Sequence, residues 1–310
     1  MPPPDPFSGQ PTRLQGHRLP DAAGQAAVLD GHRLRLRALD HLVEAAGQCG
    51  IRADPDRDFL LLAEDEVSLL EAAGGEWAAL GAALRSFRAA LPFVPLDKFG
   101  FDPAADDPFE ANTVEVRRIG GGVEALAFAA RDGSVYKFFL FREGGAVGAT
   151  FAFARGEDGV LLATAVPGSY RMLLEKLRLT HEIGIPTEIL GITPEGILIA
   201  KQAYGQGLPE KTDVSGLDPA RLIPIPSRFL RADRDHPRLA FLDGVPWLVA
   251  DTHDRNVVIA ADGSWRIIDL VAAPLPAGWL ERLTLFRDWI GRARHDPGTP
   301  GLPDVDDSEL

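Results

Sequence analysis

Apolar residues in this chain first recur at helical spacing and then, from about Thr113, at strand spacing. From Ala22 to Gly50 the spacing is helical, clearest in Leu39-Asp40-His41-Leu42-Val43-Glu44-Ala45-Ala46. A second helical stretch runs from Asp65 to Leu91. Asp65 is its expected cap, and Leu69, Leu70, Trp77, Leu80, Leu84 and Phe87 form an apolar stripe. Gly74-Gly75 should break that stretch into two helices. The segment Pro92 to Pro108 carries four prolines and reads as a linker.

Beyond it, Thr113 to Ile119, Val123 to Ala130 and Ser134 to Phe141 read as three strands, with Asp132-Gly133 turning the second into the third. Residues 142–168 are Gly-rich. They contain Thr150-Phe151-Ala152-Phe153 and Gly159-Val160-Leu161-Leu162-Ala163-Thr164, which suggest an inserted hairpin. Ser169 to Glu182 is a helix capped by Ser169, with Tyr170, Leu173, Leu174, Leu177 and His181 on one face. Ile189 to Thr193 and Ile197 to Gln202 are two further strands around Pro194-Glu195-Gly196. Leu280 to Arg294 is a last helix. The pattern divides the chain into a flexible Pro-rich tail (1–20), a helical region with linker (21–108), a strand-rich lobe (113–204), a second lobe (205–295) and an acidic tail (296–310). No internal repeat is visible.

Composition narrows the functional classes. At 310 residues with 45% hydrophobic and 25% charged positions, the chain can bury a substantial core. No apolar run approaches the ~20 residues of a membrane span. The start, Met1-Pro2-Pro3-Pro4-Asp5-Pro6-Phe7, lacks the basic and apolar regions of a signal peptide. With a single cysteine, Cys49, no internal disulfide can form, and a cytoplasmic setting is expected. The net charge of -13 argues against general nucleic-acid or anionic-membrane binding.

The chemistry concentrates late in the chain. Val257-Val258-Ile259 and Trp265-Arg266-Ile267-Ile268 read as a hairpin turned by Asp262-Gly263. Its outer ends carry Asn256 and Asp269, and Asp251 lies five residues before Asn256. A hard cation such as Mg²⁺ takes oxygen ligands, typically one or two carboxylates together with substrate phosphates, and this hairpin offers them. Asp251 and Asn256 are also residue types that cap turns. The seven histidines show no zinc spacing, and neither a nucleophile elbow nor a P-loop is present. Trp77, Trp247 and Trp265 are expected in the core.

Five pieces in order, Arg118-Ile119-Gly120-Gly121-Gly122-Val123-Glu124-Ala125, Val135-Tyr136-Lys137-Phe138, Leu198-Ile199-Ala200-Lys201-Gln202-Ala203-Tyr204, Asp251-Thr252-His253-Asp254-Arg255-Asn256 and Ile268-Asp269, resemble the protein-kinase-like superfamily. Within it the chain is most similar to the polyvalent protein kinase domain of phage and mobile-element proteins. The resemblance implies an α+β, two-lobed fold with a minimal C-terminal lobe after a helical N-terminal region. It implies ATP- and Mg²⁺-dependent transfer of a phosphoryl group to a hydroxyl on a protein or a small molecule. Gly120, Gly121 and Gly122 would cover the phosphates. Lys137 would hold the α- and β-phosphates and pair with a helix glutamate, Glu175 (the choice, being mid-helix) or Glu182. Gln202 and Tyr204 would lie at the adenine-binding hinge. Asp251 would orient the acceptor hydroxyl, and Asn256 and Asp269 would hold Mg²⁺.

The departures bear on activity. Ala125 and Ala127 replace the third Gly and the Val of the glycine loop, Ala250 precedes Asp251, and Leu270-Val271 follows Asp269. A nucleotide-binding pseudokinase or interaction module therefore stands as one alternative. A small-molecule kinase of aminoglycoside-phosphotransferase type stands as another, through Asp251-x-His253-x-x-Asn256.

Overall fold

The structure, a computed structural model, describes residues 19–51, 57–110, 112–122, 124–141, 146–218 and 220–297. The protein is α+β, with an N-terminal helical region followed by mostly antiparallel sheets. The expectations for the Pro-rich start and for all but the first two residues of the acidic tail lie outside the described residues, as does Val123. The contacts divide the chain into two units. The first takes in 1–148, 168–205 and 260–262, and the second 149–167, 206–259 and 263–310.

The first unit opens with helices α1 (Ala22–Gln48), α2 (Arg57–Leu60), α3 (Glu64–Ala73) and α4 (Gly75–Ala90). Asp21 caps α1 by accepting from Gly24 N at 2.8 Å. The break at Gly74-Gly75 falls where two glycines at φ +76° and +58° turn the chain. The cap of α3 differs from expectation. Asp65 sits inside the first turn, and Glu66 accepts from Ala63 N at 2.6 Å. Leu80, Leu84 and Phe87 are buried, whereas Leu69 is 69% and Trp77 45% exposed, because α3 and α4 turn those positions outward.

Strands β1 (Val116–Gly121), β2 (Ala125–Ala130) and β3 (Ser134–Phe139) follow. The hairpin β4 (Ala149–Arg155) and β5 (Leu161–Pro167) belongs to the second unit rather than to the strand-rich lobe around it. Helix α5 (Tyr170–Ile183) and strands β6 (Thr187–Ile192) and β7 (Leu198–Ala203) complete the first unit. Ser169 caps α5, accepting from Met172 N at 3.3 Å. The sheet order is β1-β2-β3-β7-β6, antiparallel throughout.

Register assigns the two faces of this sheet, since cross-strand partners share a face. Phe139, Leu198, Ala200 and Ile189 pack with Tyr170, Leu173, Leu174 and Leu177 of α5 and with Leu39, Leu42 and Leu84 of the N-terminal helices. Helices and sheet therefore share one core, and 21–108 is not a region apart. The other face carries Phe128, Phe138 and Ile199 against Leu96, Phe99, Phe101 and Phe109. Phe99 and Phe101 meet Phe138 edge-on, with centroids 5.2 and 5.5 Å apart.

The segment 92–108 is thus no linker. Its prolines exclude regular structure but do not prevent burial. Ile192 N donates to Pro92 O at 3.0 Å, and Val94 N to Ile192 O at 2.9 Å, so this segment covers the β6 edge. The approach is close enough to require a glycine: a Cβ on Gly191 would lie 2.2 Å from Pro92 O.

The second unit adds β8 (Gln206–Gly207), β9 (Ile223–Pro224), β10 (Leu230–Ala232), β11 (Arg238–Leu242), β12 (Val245–Ala250), β13 (Val257–Ile259), β14 (Trp265–Ile267) and β15 (Val271–Pro274). The helices α6 (Ala277–Leu280) and α7 (Thr284–His295) end it. Its sheets are β10-β5-β4, β15-β12-β11-β9 and β14-β13-β8, in which only β10 and β5 run parallel. Thr150 Oγ1 donates to Ala272 O at 3.0 Å, tying β4 to β15. Phe229 stacks on Phe286 of α7 at 5.2 Å. Trp247 is buried, as expected. Trp265 is 39% exposed, because β14 is an outer strand of its sheet.

Candidate functional site

The loop after β12 brings together several of the residues singled out by spacing. Ala250 ends the strand fully buried, and the next residue, Asp251, adopts φ +66°. Left-handed backbone is uncommon outside glycine, is least costly for Asp and Asn, and tends to occur where a site holds it in place. Asp251 N donates to Asp235 O at 2.8 Å. The Asn256 amide donates to Asp251 O at 2.8 Å and to Asp251 Oδ2 at 3.2 Å. His253 Nε2 lies 3.4 Å from Asp251 Oδ1 and 3.4 Å from Asn256 Nδ2. His253 thus packs inside the loop, half-buried beside both residues.

The predicted hairpin forms, with Val257 opposite Ile267 and Ile259 opposite Trp265. Ile268 N donates to Asn256 O at 2.9 Å, which sets Asn256 beside the strand end that leads into Asp269. Asp269 Oδ1 accepts from Leu270 N at 3.0 Å. With the Asn256 amide nitrogen turned to Asp251, its oxygen and Asp269 Oδ2 are not engaged by any hydrogen bond among the described residues and can take a ligand. An amide oxygen and a carboxylate oxygen at adjoining strand ends suit Mg²⁺, which keeps several waters and takes few protein ligands. Among the described residues no three His, Cys, Asp or Glu side chains cluster as a metal cage.

Two residues that the sequence did not flag hold this loop. Thr252 is fully buried; its hydroxyl donates to His236 O at 3.4 Å and accepts from Arg238 Nε at 3.3 Å. Arg238, 2% exposed, also donates to Val214 O at 2.8 Å and to the carbonyls of Ser215, Leu217 and Leu222. Burial lowers its pKa, opposed by the charge of Asp213. Nothing in the strand pattern of Arg238-Leu239-Ala240-Phe241-Leu242 announces this, since the first residue of a strand is ordinarily solvated.

In the first unit, Gly120 and Gly121 are the last two residues of β1, and Gly122 N donates to Ala125 O at 3.0 Å to close the turn into β2. A Cβ on Gly120 or Gly122 would meet nothing within 4 Å, which leaves the backbone open to close approach. Lys137 is 7% exposed, between Ala127 of β2 and Ala200 of β7. The two alanines share its face, which is the α5 side of the sheet.

Both candidate helix glutamates contact arginines of α5. Glu175 Oε1 pairs with Arg171 Nη1 at 3.5 Å, and Glu182 Oε1 accepts from Arg178 Nε at 3.0 Å. Burial raises the Glu175 pKa, opposed by the Arg171 charge. The α5 side chain that reaches the glycine turn is Lys176, paired with Glu124. Its position three residues beyond Leu173 puts it at the margin of the buried face, a signal the apolar pattern hides.

Gln202 sits mid-sheet between Val135 and Thr187, and its amide donates to Thr187 Oγ1 at 2.9 Å. Tyr204 N donates to Gly133 O at 2.9 Å. That donor is used within the end of the sheet. Comparison with protein-family models, with curated proteins and with solved structures finds no match to this chain.

Proposed function

We propose that the protein is an ATP- and Mg²⁺-dependent phosphotransferase that moves the γ-phosphoryl group to a hydroxyl. The observation that carries this reading is the loop of Asp251 and Asn256 with Asp269 at the adjoining strand end. It sets a carboxylate on left-handed backbone, hydrogen-bonded to an amide whose oxygen is left for a cation. The first unit lends support. Its antiparallel sheet has α5 between the third and fourth strands of its chain order, the order expected of a kinase small lobe, with Lys137 on the helix-facing side.

In this reading Asp251 accepts a hydrogen bond from the acceptor hydroxyl and orients its oxygen for in-line attack. The Asn256 amide fixes that carboxylate from one side and His253 packs it from the other. Asn256 Oδ1 and Asp269 would hold Mg²⁺, which when bound neutralises charge on the phosphates. Within the first unit, Lys137 and the backbone of Gly120 to Gly122 are assigned contacts to phosphate oxygens.

The test is label transfer from γ-labelled ATP in Mg²⁺ to the protein itself, to a mixed protein substrate and to small polyhydroxyl compounds. Transfer that Asp251→Asn abolishes is the expected result, and the labelled class identifies the acceptor. Mg²⁺-dependent ATP binding without transfer to any acceptor would make the protein a nucleotide-binding module instead.

A further inference from the structure

Helix α5 buries a lysine where a glutamate was expected to matter. The Lys176 side chain is 3% exposed, and its ammonium pairs with Glu124, 14% exposed. Glu124 belongs to the glycine turn, lying inside the loop that Gly122 N closes on Ala125 O. A Cβ on Gly148 would lie 3.5 Å from Glu124 Oε2 and 3.6 Å from Lys176 Nζ, so bare backbone flanks the pair. The helix supplies the cation and the glycine turn the carboxylate.

An ammonium taken out of water requires an anion beside it. Glu124 supplies one negative charge through carboxylate oxygens. A polyphosphate supplies more charge through oxygens of the same kind, and lysine binds phosphate well as a compact point charge. Gly122 in the turn that carries Glu124, and Gly120 at the end of β1, have open space where a Cβ would lie.

We propose that Lys176 is a phosphate-binding residue of the first unit, and that Glu124 occupies the phosphate's place on it until a polyphosphate arrives. This rests on the nucleotide-binding reading above and adds a second cation to Lys137 on the α5 side of the sheet. Glu124 then acts as a gate on affinity: its carboxylate must leave Lys176 for the ligand to enter.

The experiment is equilibrium binding of inorganic tripolyphosphate and of Mg-ATP to the parent, Lys176→Met, Lys176→Arg, Glu124→Gln and Glu124→Asp, each checked for folding by circular dichroism. Lys176→Met should weaken both ligands at least tenfold, and Lys176→Arg should stay near the parent. Glu124→Gln should bind tripolyphosphate several-fold more tightly, because a neutral amide oxygen competes for the ammonium far less than a carboxylate does. Glu124→Asp, which draws the carboxylate back, gives the same test if Gln unfolds the turn. Parent-like binding by Lys176→Met would overturn the proposal while leaving the nucleotide reading intact. Weakening by Glu124→Gln equal to that of Lys176→Met would also overturn it, because the pair would then be only a strap on the turn. A parent that binds tripolyphosphate but not Mg-ATP keeps Lys176 as a phosphate site and refutes the nucleotide reading. A parent that binds neither refutes both.

Discussion

Acid should destabilise the first unit through His32, and the size of the effect follows from its surroundings. His32 is 1% exposed on α1, and its Nε2 lies 2.7 Å from Thr187 O, so the ring donates from that nitrogen. Its Nδ1 is buried and has no hydrogen-bond partner among the described residues. A proton on Nδ1 would add an unpartnered charge in the core, 5.5 Å from the ring of His181. Burial accordingly lowers the His32 pKa from 6.5 to about 3, with Thr187 O opposing and His181 adding to the shift.

Below pH 6.5 the unfolded chain takes up a proton that the folded chain refuses, so stability falls as pH falls and continues to fall until about pH 3. The cost rises toward about 1.4 kcal/mol per pH unit as the unfolded imidazole fills with protons, so the interval from pH 6.5 to 4.5 costs about 2.3 kcal/mol. That is a large share of the roughly 5–15 kcal/mol that holds a domain folded. His32→Gln retains a nitrogen donor toward Thr187 O and does not titrate. Urea unfolding of parent and variant at pH 6.5 and 4.5 isolates the contribution, because the other titrating groups are common to both. The parent should lose about 2–3 kcal/mol more than the variant across that interval. Equal losses would mean that His32 is protonated in the folded state or solvated, and would refute the reasoning.

Three further perturbations probe other elements. Gly191→Ala would put a Cβ 2.2 Å from Pro92 O and 2.7 Å from Val94 Cγ2, and overpacking of this kind costs about 1–3 kcal/mol. A thermal midpoint unchanged from the parent would show that 92–94 does not cover β6. Phe138→Ala should cost about 3–5 kcal/mol in urea unfolding, because its ring meets Phe99, Phe101, Phe109 and Phe128. Arg238→Met removes the donor shared by Val214, Ser215, Leu217 and Leu222 and frees Thr252. Each buried carbonyl left unsatisfied costs about 1–3 kcal/mol, so faster hydrogen exchange across 214–222 and at Asp251 is expected, and unchanged exchange would contradict it.

Elements with strong periodicity or clear punctuation could be read from the sequence. The Ser169 cap and the run Tyr170-x-x-Leu173-Leu174-x-x-Leu177 specify α5, and Asp262-Gly263 between two short apolar runs specifies the β13–β14 hairpin. Asn256 and Asp269 came together because hairpin ends must. The prolines of 92–108 hide its burial, because proline removes secondary structure without removing hydrophobicity; Leu96, Phe99 and Phe101 carry the information.

Ionic pairing was the least legible. Glu175 and Lys176 are chain neighbours, and which of them faces the glycine turn depends on how α5 is rotated against α1 and the sheet. Arg171, itself paired with Asp40 of α1, draws Glu175 to one side, which leaves Lys176 to Glu124. Arg238 was invisible for a similar reason, since its carbonyl partners lie 16 to 24 residues away in the chain.

The most direct test of the central claim is thermal stability with ATP, with and without Mg²⁺, for the parent and Asp269→Ala. A ligand that binds only the folded protein raises its stability by mass action, about 2.7 kcal/mol at a hundredfold excess over Kd. A Mg²⁺-dependent rise in the parent that Asp269→Ala abolishes is the predicted result. An equal rise in both proteins, or none in the parent, would contradict the assignment of Asp269 and the phosphotransferase reading built on it.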